Sequence, residues 1–458
     1  MSFYPKLIGA VCGVWAAGAL IYAGVSAMDK AGVSTDGILS SKPTLTVWYT
    51  EEKLEDYLSA MALEYQDATG VRVVPVLKSG LEYLEAVNDA VNDASIAEES
   101  MPDVYLISND GLEKAYLAGL AVNVKDQNAV LNTENFPQTA LDAVTYQGHA
   151  VAYPLYFETS ALVYNQTYLE QAAAELETDE MSLIPKTIDD IRNFADEYNA
   201  PETVESVFRW DVSDFFYNYF FAGNYITVGG SCGDDSSRIN IYNQDAVYGL
   251  AAYQKLSQFF SIDAATSSYD QVVQDFLDGK LVYTIATTDI LDRVVQAKAD
   301  GSFAWEYGVA SLPDISETVC SRGISVTGSI VVNGYGKHQD EADNFAAWLC
   351  TDSADKLFDR STLVPAKKSA AQQTEEMAAF WQEYSQTVPV PKLMATANFW
   401  VQMEIAETKI WEGENVSDVL KDLSEKIMTQ VTGTQYVEEE YIEVPTETQI
   451  DYAESEEE

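Results

Sequence analysis

Short β-rich runs alternate with stretches of helical periodicity from residue 45 onward, and this alternation limits the folds open to the chain. The run LTVWYT (45–50) predicts a strand, because β-branched and aromatic residues favour a pleated, half-buried surface. Residues 51–70 then repeat apolar side chains at helical spacing and stop at Gly70. VRVVPVLK (71–78) and PDVYLIS (102–108) predict further strands. Strand, helix and strand in this order predict an α/β lobe with a parallel sheet.

The length of the chain argues for a second lobe. A chain of 458 residues exceeds what one ordinary hydrophobic core organises, so we expect two packed lobes. Strand-like runs such as KLVYTIA (280–286) and SVTGSIVVNGYG (325–336) continue the alternation, and two amphipathic helices follow them. No internal repeat of ~20–50 residues is visible, which excludes a solenoid or a propeller.

The net charge of the chain limits which molecules it can bind. The chain has 73 acidic and 26 basic residues and a formal net charge of −47. Binding to nucleic acid or to anionic lipid needs a basic surface, which this composition does not supply. We therefore expect no nucleic acid partner and favour a neutral ligand, while a cationic ligand stays open.

Histidine and cysteine give no metal pattern. His149 and His338 lie far apart, and no CxxC or HExxH spacing occurs, so we expect no metal and no cofactor. Cys350, in FAAWLC, reads as a buried helix residue. Cys232 and Cys320 lie in turn-rich segments and form either two free thiols or a disulfide, which the chain-entropy model values at about 4 kcal/mol.

Both ends of the chain read as segments outside the folded part. Residues 7–28 are apolar, uncharged and long enough to span a bilayer, and Val25-Ser26-Ala27 resembles a cleavage site, so 1–28 is either a signal peptide or an anchor. Residues 29–43 predict a flexible stalk. Residues 433–458 predict a disordered acidic tail.

One charged residue interrupts a run of buried-strand character. In YPLYFETSALVYN (153–165), Glu158 lies among residues that favour a half-buried strand. A carboxylate in such a place must be paired, hydrated or available to a ligand.

The order of motifs resembles the extracellular solute-binding proteins of ABC sugar importers, the group typified by maltose-binding protein. The segments that carry the resemblance are LTVWYT (45–50), MPDVYLISND (101–110), GHAVAYPLYFETSALVYNQTYL (148–169), DFLDGKLVYTIAT (275–287), VTGSIVVN (326–333) with NFAAWLCTDSADKLF (344–358), and VPAKKS (364–369). The resemblance implies a two-lobed periplasmic-binding-protein fold of α/β class, with hinge strands and a ligand cleft between the lobes. Residues 44–157 and 328–374 would form lobe 1, and residues 158–327 and 375–432 lobe 2.

The resemblance also implies a set of ligand-binding residues. Glu158 would lie at the cleft floor, on the first strand that crosses between the lobes. Where the family has an aromatic residue and an arginine beside Asp110, this chain has Ile107 and Gly111, and Asp289 replaces a tryptophan. The aromatic residues Phe215, Tyr217 and Phe220 read as core instead. The residues that the resemblance implies as ligand-binding are Glu52, Lys53, Asp110, Glu158, Asp214, Phe216, Tyr219, Asp289, Phe399 and Trp400.

The expected function is therefore capture of a carbohydrate, of oligosaccharide size, by closure of two lobes, and its delivery to an ABC permease in the membrane. The resemblance implies an exported monomer on the outer face of the membrane, or a secreted one after cleavage behind Ala27. A sugar-sensing receptor domain and a binding protein for a polyamine or an amino sugar stay as alternatives. A glycosidase is disfavoured, because carboxylate pairs occur by chance among 73 acids and no other catalytic motif accompanies them.

Overall fold

One mixed sheet organises the part of the chain that a computed structural model describes, residues 42–92, 101–260, 262–316 and 319–445. The strands of this sheet are β1 Thr44–Tyr49, β2 Arg72–Leu77, β3 Val104–Ser108, β6 Tyr153–Asn165, β7 Ser206–Phe208, β10 Leu281–Thr287, β11 Tyr307–Ala310, β12 Ile324–Val332 and β13 Val388–Pro389. The main path of the sheet runs β2-β1-β3-β12-β6-β10-β7, with β11 beside β6 and β13 beside β12. Two short hairpins, β4 Thr145–Tyr146 with β5 His149–Ala150 and β8 Thr227–Val228 with β9 Ile239–Asn240, lie outside it.

Helices cover the sheet. They are α1 Leu54–Thr69, α2 Tyr83–Asn92, α3 Leu112–Leu117, α4 Gln138–Ala143, α5 Gln166–Leu176, α6 Ile188–Glu197, α7 Gln244–Phe259, α8 Tyr269–Leu277, α9 Ile290–Asp300, α10 Gln339–Cys350, α11 Leu357–Ser361, α12 Glu375–Tyr384, α13 Phe399–Trp411 and α14 Val416–Thr432.

The first lobe has the predicted parallel strands. β1 pairs in parallel with β2 and with β3. Helix α1 ends at Gly70, whose φ of 76° is left-handed and whose N–H donates to the carbonyl of Gln66. A glycine adopts this conformation without a steric penalty, so the predicted helix stop is confirmed.

Strand β6 joins the two halves of the sheet. Its residues Tyr153 to Thr159 pair with β12, whereas Ser160 to Asn165 pair with β10 and β11. The partner changes between Thr159 and Ser160, one residue after Glu158. The fold is thus the expected two-lobed α/β arrangement with strands that cross between lobes. The exact lobe limits stay a prediction.

Helix α12 packs against the crossing strands. The ring of Tyr384 stacks on Phe157 of β6 at 4.1 Å between centroids, and its hydroxyl is 2.7 Å from the Thr327 hydroxyl of β12. The neighbouring Glu383 is buried and accepts a hydrogen bond from the N–H of Leu312 at 3.2 Å. Burial disfavours the charged form and raises the pKa of Glu383 to about 7.

Of the two alternatives left open for Cys232 and Cys320, the structure has the free thiols and no bridge between them. Cys232 lies in a turn, and its backbone carbonyl accepts a hydrogen bond from the ammonium group of the buried Lys392. Cys320 is exposed in a separate segment, beside Tyr225. Cys350 is buried on α10, as predicted.

The C-terminal segment departs from the prediction of a disordered tail. Residues 434–445 lie along α14, where the N–H of Ile442 donates to the Tyr242 hydroxyl at 2.7 Å and Ser424 donates to Glu438 at 2.5 Å. Ile442 and Val444 also pack on the second-lobe core. The acids of this stretch are interspersed with apolar residues, and these anchor it. The rest of the predicted tail, 446–458, lies outside the described residues.

The predicted signal or anchor at 1–28 lies outside the described residues, as does the predicted stalk up to residue 41. Within the described ranges, no helix is both long enough and apolar enough to cross a membrane.

Replacing Ile442 by Ala should lower the free energy of unfolding by about 1 kcal/mol, since a half-buried aliphatic side chain loses its contacts. Val437→Ala is the matched control, because Val437 is 56% exposed and should change stability little. Urea unfolding of both variants measures the difference. Equal effects at the two positions would mean that the segment does not dock on α14.

Replacing Glu383 by Gln should remove a pH-dependent part of stability. Because its folded pKa is raised from 4.5 to about 7, Glu383 leaves stability intact below pH 4.5 and lowers it as pH rises through 7. Between pH 4.5 and pH 7, the free energy of unfolding of the unmodified chain should fall by roughly 3 kcal/mol relative to that of Glu383→Gln. Unfolding at pH 4.5 and pH 8 measures this, with Glu375→Gln, an exposed site on the same helix, as the control. If the free energies of unfolding of the unmodified chain and Glu383→Gln differ by the same amount at both pH values, the raised pKa of Glu383 is contradicted.

Candidate ligand-binding cleft

Lobe 1 contributes polar groups from the carboxyl ends of its parallel strands. Glu52 and Lys53 follow β1, and Asp110 follows β3, so the three residues lie along one edge of the sheet. Asp110 is exposed, accepts a hydrogen bond from the Ser108 hydroxyl and lines a recess of about 350 Å³ that Thr50 also lines. Ligands of open α/β sheets bind at this edge.

Glu158 lies where charges of both lobes converge. Its neighbours Phe157 and Thr159 are buried, whereas the Glu158 side chain opens to solvent from a position that protein atoms largely surround. This burial raises its pKa, and nearby Asp289, Glu51 and Asp214 raise it further, whereas Lys53 lowers it. A carboxylate that is enclosed by protein yet open to solvent is what the floor of a cleft presents.

An ion pair spans the cleft. The Lys53 ammonium, at the start of α1, is 3.7 Å from a carboxylate oxygen of Asp292 on α9. The Asp292 side chain is only 17% exposed, so this pair is better shielded from water than a typical surface pair. Lys53, predicted to bind the ligand, therefore also links the two lobes.

Asp289 already has hydrogen-bond donors for both of its oxygens. One oxygen accepts from the Tyr269 hydroxyl and from the Thr287 hydroxyl at 2.5 Å, and the other accepts from Arg293 at 2.7 Å. A ligand would have to displace one of these donors. In the structure Asp289 holds the wall of lobe 2, and its predicted contact with a ligand stays a prediction.

The aromatic run of lobe 2 divides into exposed and buried rings. It forms short 3-10 turns, and the first turn is capped by Asp214, which accepts from the N–H of Phe216 at 2.8 Å. Phe216 and Trp400 are half-buried, and Trp400 stacks on Phe215 at 5.0 Å with 26° between the ring planes. These three rings form an aromatic ledge beside the Asp214 carboxylate.

Two of the predicted platform residues are core residues instead. Tyr219 is 3% exposed and Phe399 has no exposed surface, so neither ring offers a face to a ligand. Phe399 packs edge-on beneath Trp400 at 5.1 Å and supports it. Among the rings predicted as core, Tyr217 and Phe220 are buried as expected, whereas the half-buried Phe215 belongs to the ledge.

Glu51 and Tyr156 also belong to this site, although neither was predicted from the sequence. Both flank Glu158: the carboxylates of Glu51 and Glu158 raise the pKa of the Tyr156 hydroxyl, after its burial. Tyr156 lies over Gly328, where a Cβ atom would come within 2.2 Å of the ring. Period-two spacing from Glu158 along β6 would have indicated Tyr156, because residues two apart share one face of a strand.

Comparison with known proteins identifies the family. The family model described as bacterial extracellular solute-binding protein matches residues 60–389. The chain belongs to this family. This solute-binding protein is 24% identical over 390 residues to the maltodextrin-binding protein MdxE of Bacillus subtilis (strain 168), across 82% of this chain and 86% of the relative. It is 22% identical over 257 residues to the maltotriose-binding protein of Pyrococcus abyssi (strain GE5 / Orsay), across 55% and 51%.

Solved structures share the fold of this solute-binding protein. The extracellular solute-binding protein of Staphylococcus aureus in complex with maltose superposes with a TM-score of 0.71 at 20% identity, covering 85% of this chain and 98% of the other. The maltose-binding periplasmic protein MalE of Listeria monocytogenes, also in complex with maltose, gives a TM-score of 0.69 at 22% identity, covering 87% and 100%. The two-lobed architecture is therefore common to all three proteins.

Replacing Glu158 by Gln should leave the melting temperature at pH 7 unchanged or raise it. The neighbouring acids and burial both disfavour the Glu158 charge, so its removal relieves repulsion. Asp275→Asn is the contrasting control, because Asp275 is buried and paired with Arg209 at 2.8 Å and Lys280 at 3.2 Å. It should lower the melting temperature clearly. A large loss of stability in Glu158→Gln would show that this carboxylate holds the crossing strand together.

Proposed function

We propose that this chain captures a neutral carbohydrate between its lobes and delivers it to an ABC importer. The observation that carries the proposal is the aromatic ledge of Phe215, Phe216 and Trp400 beside the carboxylates of Asp214 and Glu158. The relatives named for maltodextrin and maltotriose, and the related structures that hold maltose, support the same ligand class.

The chemistry of the cleft suits a sugar. The apolar C–H faces of a sugar ring stack on aromatic rings, for which Trp400 and Phe216 are available. Its hydroxyl groups donate to carboxylates, for which Glu52, Asp110 and Glu158 are available. A hydrogen bond to a charged group contributes about 1.5–3 kcal/mol, so a few of them with one stacked ring suffice for micromolar binding.

Closure makes the captured ligand recognisable to a membrane partner. A ligand that contacts both lobes stabilises the closed arrangement by its differential affinity, and the Lys53–Asp292 pair acts in the same direction. The chain would work as an exported monomer, held at the outer face of the membrane through 7–28 or released by cleavage after Ala27. It would bind its ligand without chemical turnover.

A cationic solute, such as an amino sugar or a polyamine, is the second candidate. Asp289, Glu51 and Asp214 all disfavour the charged form of Glu158, and Lys53 counters them. A bound cation would relieve this repulsion, whereas a neutral sugar would leave it in place.

Titration calorimetry against maltose, maltotetraose, glucosamine and spermidine separates the candidates, and product analysis after long incubation tests for turnover. We expect a maltodextrin to bind and Trp400→Ala to weaken that binding at least tenfold, since the ring supplies the main apolar face. Phe259→Ala is the control, because Phe259 is 39% exposed on α7, outside the cleft. Unchanged affinity in Trp400→Ala would remove the ledge from the site, and tighter binding of spermidine would favour the cationic alternative.

A further inference from the structure

A second cavity lies wholly within lobe 1 and shares no residue with the cleft. It has a volume of about 640 Å³ and lies between the end of α1, the loop 126–135 and α10. We call it the α10 groove and define it by Tyr65, Asn128, Asn344, Trp348 and Asp352. Its volume falls in the range of ligand sites, ~300–1,000 Å³.

The α10 groove combines an aromatic surface with polar groups. Trp348 is half-buried, and its ring lies 5.1 Å from that of Tyr65, tilted by 53°. Phe345 supports both rings from the core, at 5.0 Å from Tyr65 and 6.3 Å from Trp348. The aromatic surface is therefore rigid, and part of the Trp348 ring is open to solvent.

Three polar side chains around this surface have no hydrogen-bond or ion-pair partner among the described residues. They are Asn128, Asn344 and Asp352. Amide groups both donate and accept, and the carboxylate accepts, so together they match a ligand that carries several hydroxyl groups. Lys367, at the same groove, already donates to the carbonyl of Thr351 at 2.9 Å.

The loop that presents Asn128 is held in an unfavourable backbone conformation. Asp126 and Ala129 have φ values of 41° and 50°, in the left-handed region that residues other than glycine rarely adopt. The Asp126 carboxylate stabilises the loop by accepting from the N–H groups of Val130 at 2.7 Å and Leu131 at 3.2 Å. Strained conformations of this kind concentrate at binding sites, where the surrounding structure enforces them.

We propose that the α10 groove is a second saccharide-binding site, separate from the cleft. An aromatic face next to amide and carboxylate groups binds the apolar face and the hydroxyl rim of a sugar at once. The Asp352 carboxylate, together with Glu341 at the same groove, opposes an anionic ligand, and the polar rim opposes a purely apolar one. Lining groups all come from lobe 1, so a sugar bound here does not need the lobes to close.

Native electrophoresis of the full chain in gels that contain amylopectin, dextran or xylan tests the α10 groove. We expect at least one polymer to retard the chain, and Asn128→Ala/Asn344→Ala to weaken this retardation at least tenfold in apparent affinity. Asn88→Ala is the matched control, since Asn88 is a half-exposed asparagine on α2, against the other core cluster of lobe 1. It should be retarded like the unmodified chain.

Trp400→Ala separates the groove from the cleft, and retardation should persist in this variant. Loss of retardation in Trp400→Ala would assign the polymer to the cleft and overturn the proposal. Equal retardation of the double asparagine variant and the unmodified chain, or no retardation by any polymer, would also overturn it. If the double variant melts at a lower temperature than the unmodified chain, Asp352→Asn repeats the test. Asp352 is exposed, so this substitution does not disturb the loop 126–135.

Discussion

Strand β6 belongs to both halves of the sheet, and the rest of the structure depends on this sharing. Its first half completes the ladder with β12 and its second half lies between β10 and β11, so the chain cannot shift the register of one lobe without moving the other. The buried Asn109 reinforces the crossing from lobe 1, accepting from the N–H of Thr327 at 2.9 Å and donating to the carbonyl of Val390 at 2.8 Å. Glu158 lies one residue before the change of partner, so its side chain is placed between the lobes.

The negative charge of the chain shapes the chemistry of that place. Acids from both lobes disfavour the charged form of Glu158. Glu407 is also buried near the ledge, and neither of its carboxylate oxygens has a hydrogen-bond partner among the described residues. Burial raises the pKa of Glu407 well above its ordinary range, and the nearby carboxylates of Asp214 and Glu404 raise it further. A cleft wall with this many acids is rich in acceptors and poor in donors. Hydroxyl groups supply the missing donors without the desolvation cost of a second charge.

Sequence patterns predicted the features that local chemistry decides, and missed those that depend on packing from a distance. The parallel strands of lobe 1 and the stop at Gly70 follow from alternation and from glycine, whereas the crossing near Glu158 was implied by the family resemblance. The burial of Phe399 and the partial exposure of Phe215 do not follow, because each lies beside another aromatic residue and the sequence does not show which of the two rings is buried. Only the position of α13 against the 3-10 turns decides which ring reaches the cleft. Docking of residues 434–445 was missed for a related reason, since composition averages over the few apolar anchors within an acidic stretch.

The cleft and the α10 groove use similar chemistry with different mechanical consequences. Residues of both lobes surround Glu158, so a ligand there exchanges contacts with two bodies and shifts the balance between open and closed forms. All lining residues of the α10 groove come from lobe 1, so its occupant has no differential contact with the two forms and cannot bias closure. Binding in the groove would therefore raise the local concentration of the protein at a saccharide surface and leave the balance between open and closed forms unchanged. The α10 groove would thus hold the protein at a saccharide surface, and the cleft would bind the sugar to be transported, because only the cleft lies between the two lobes.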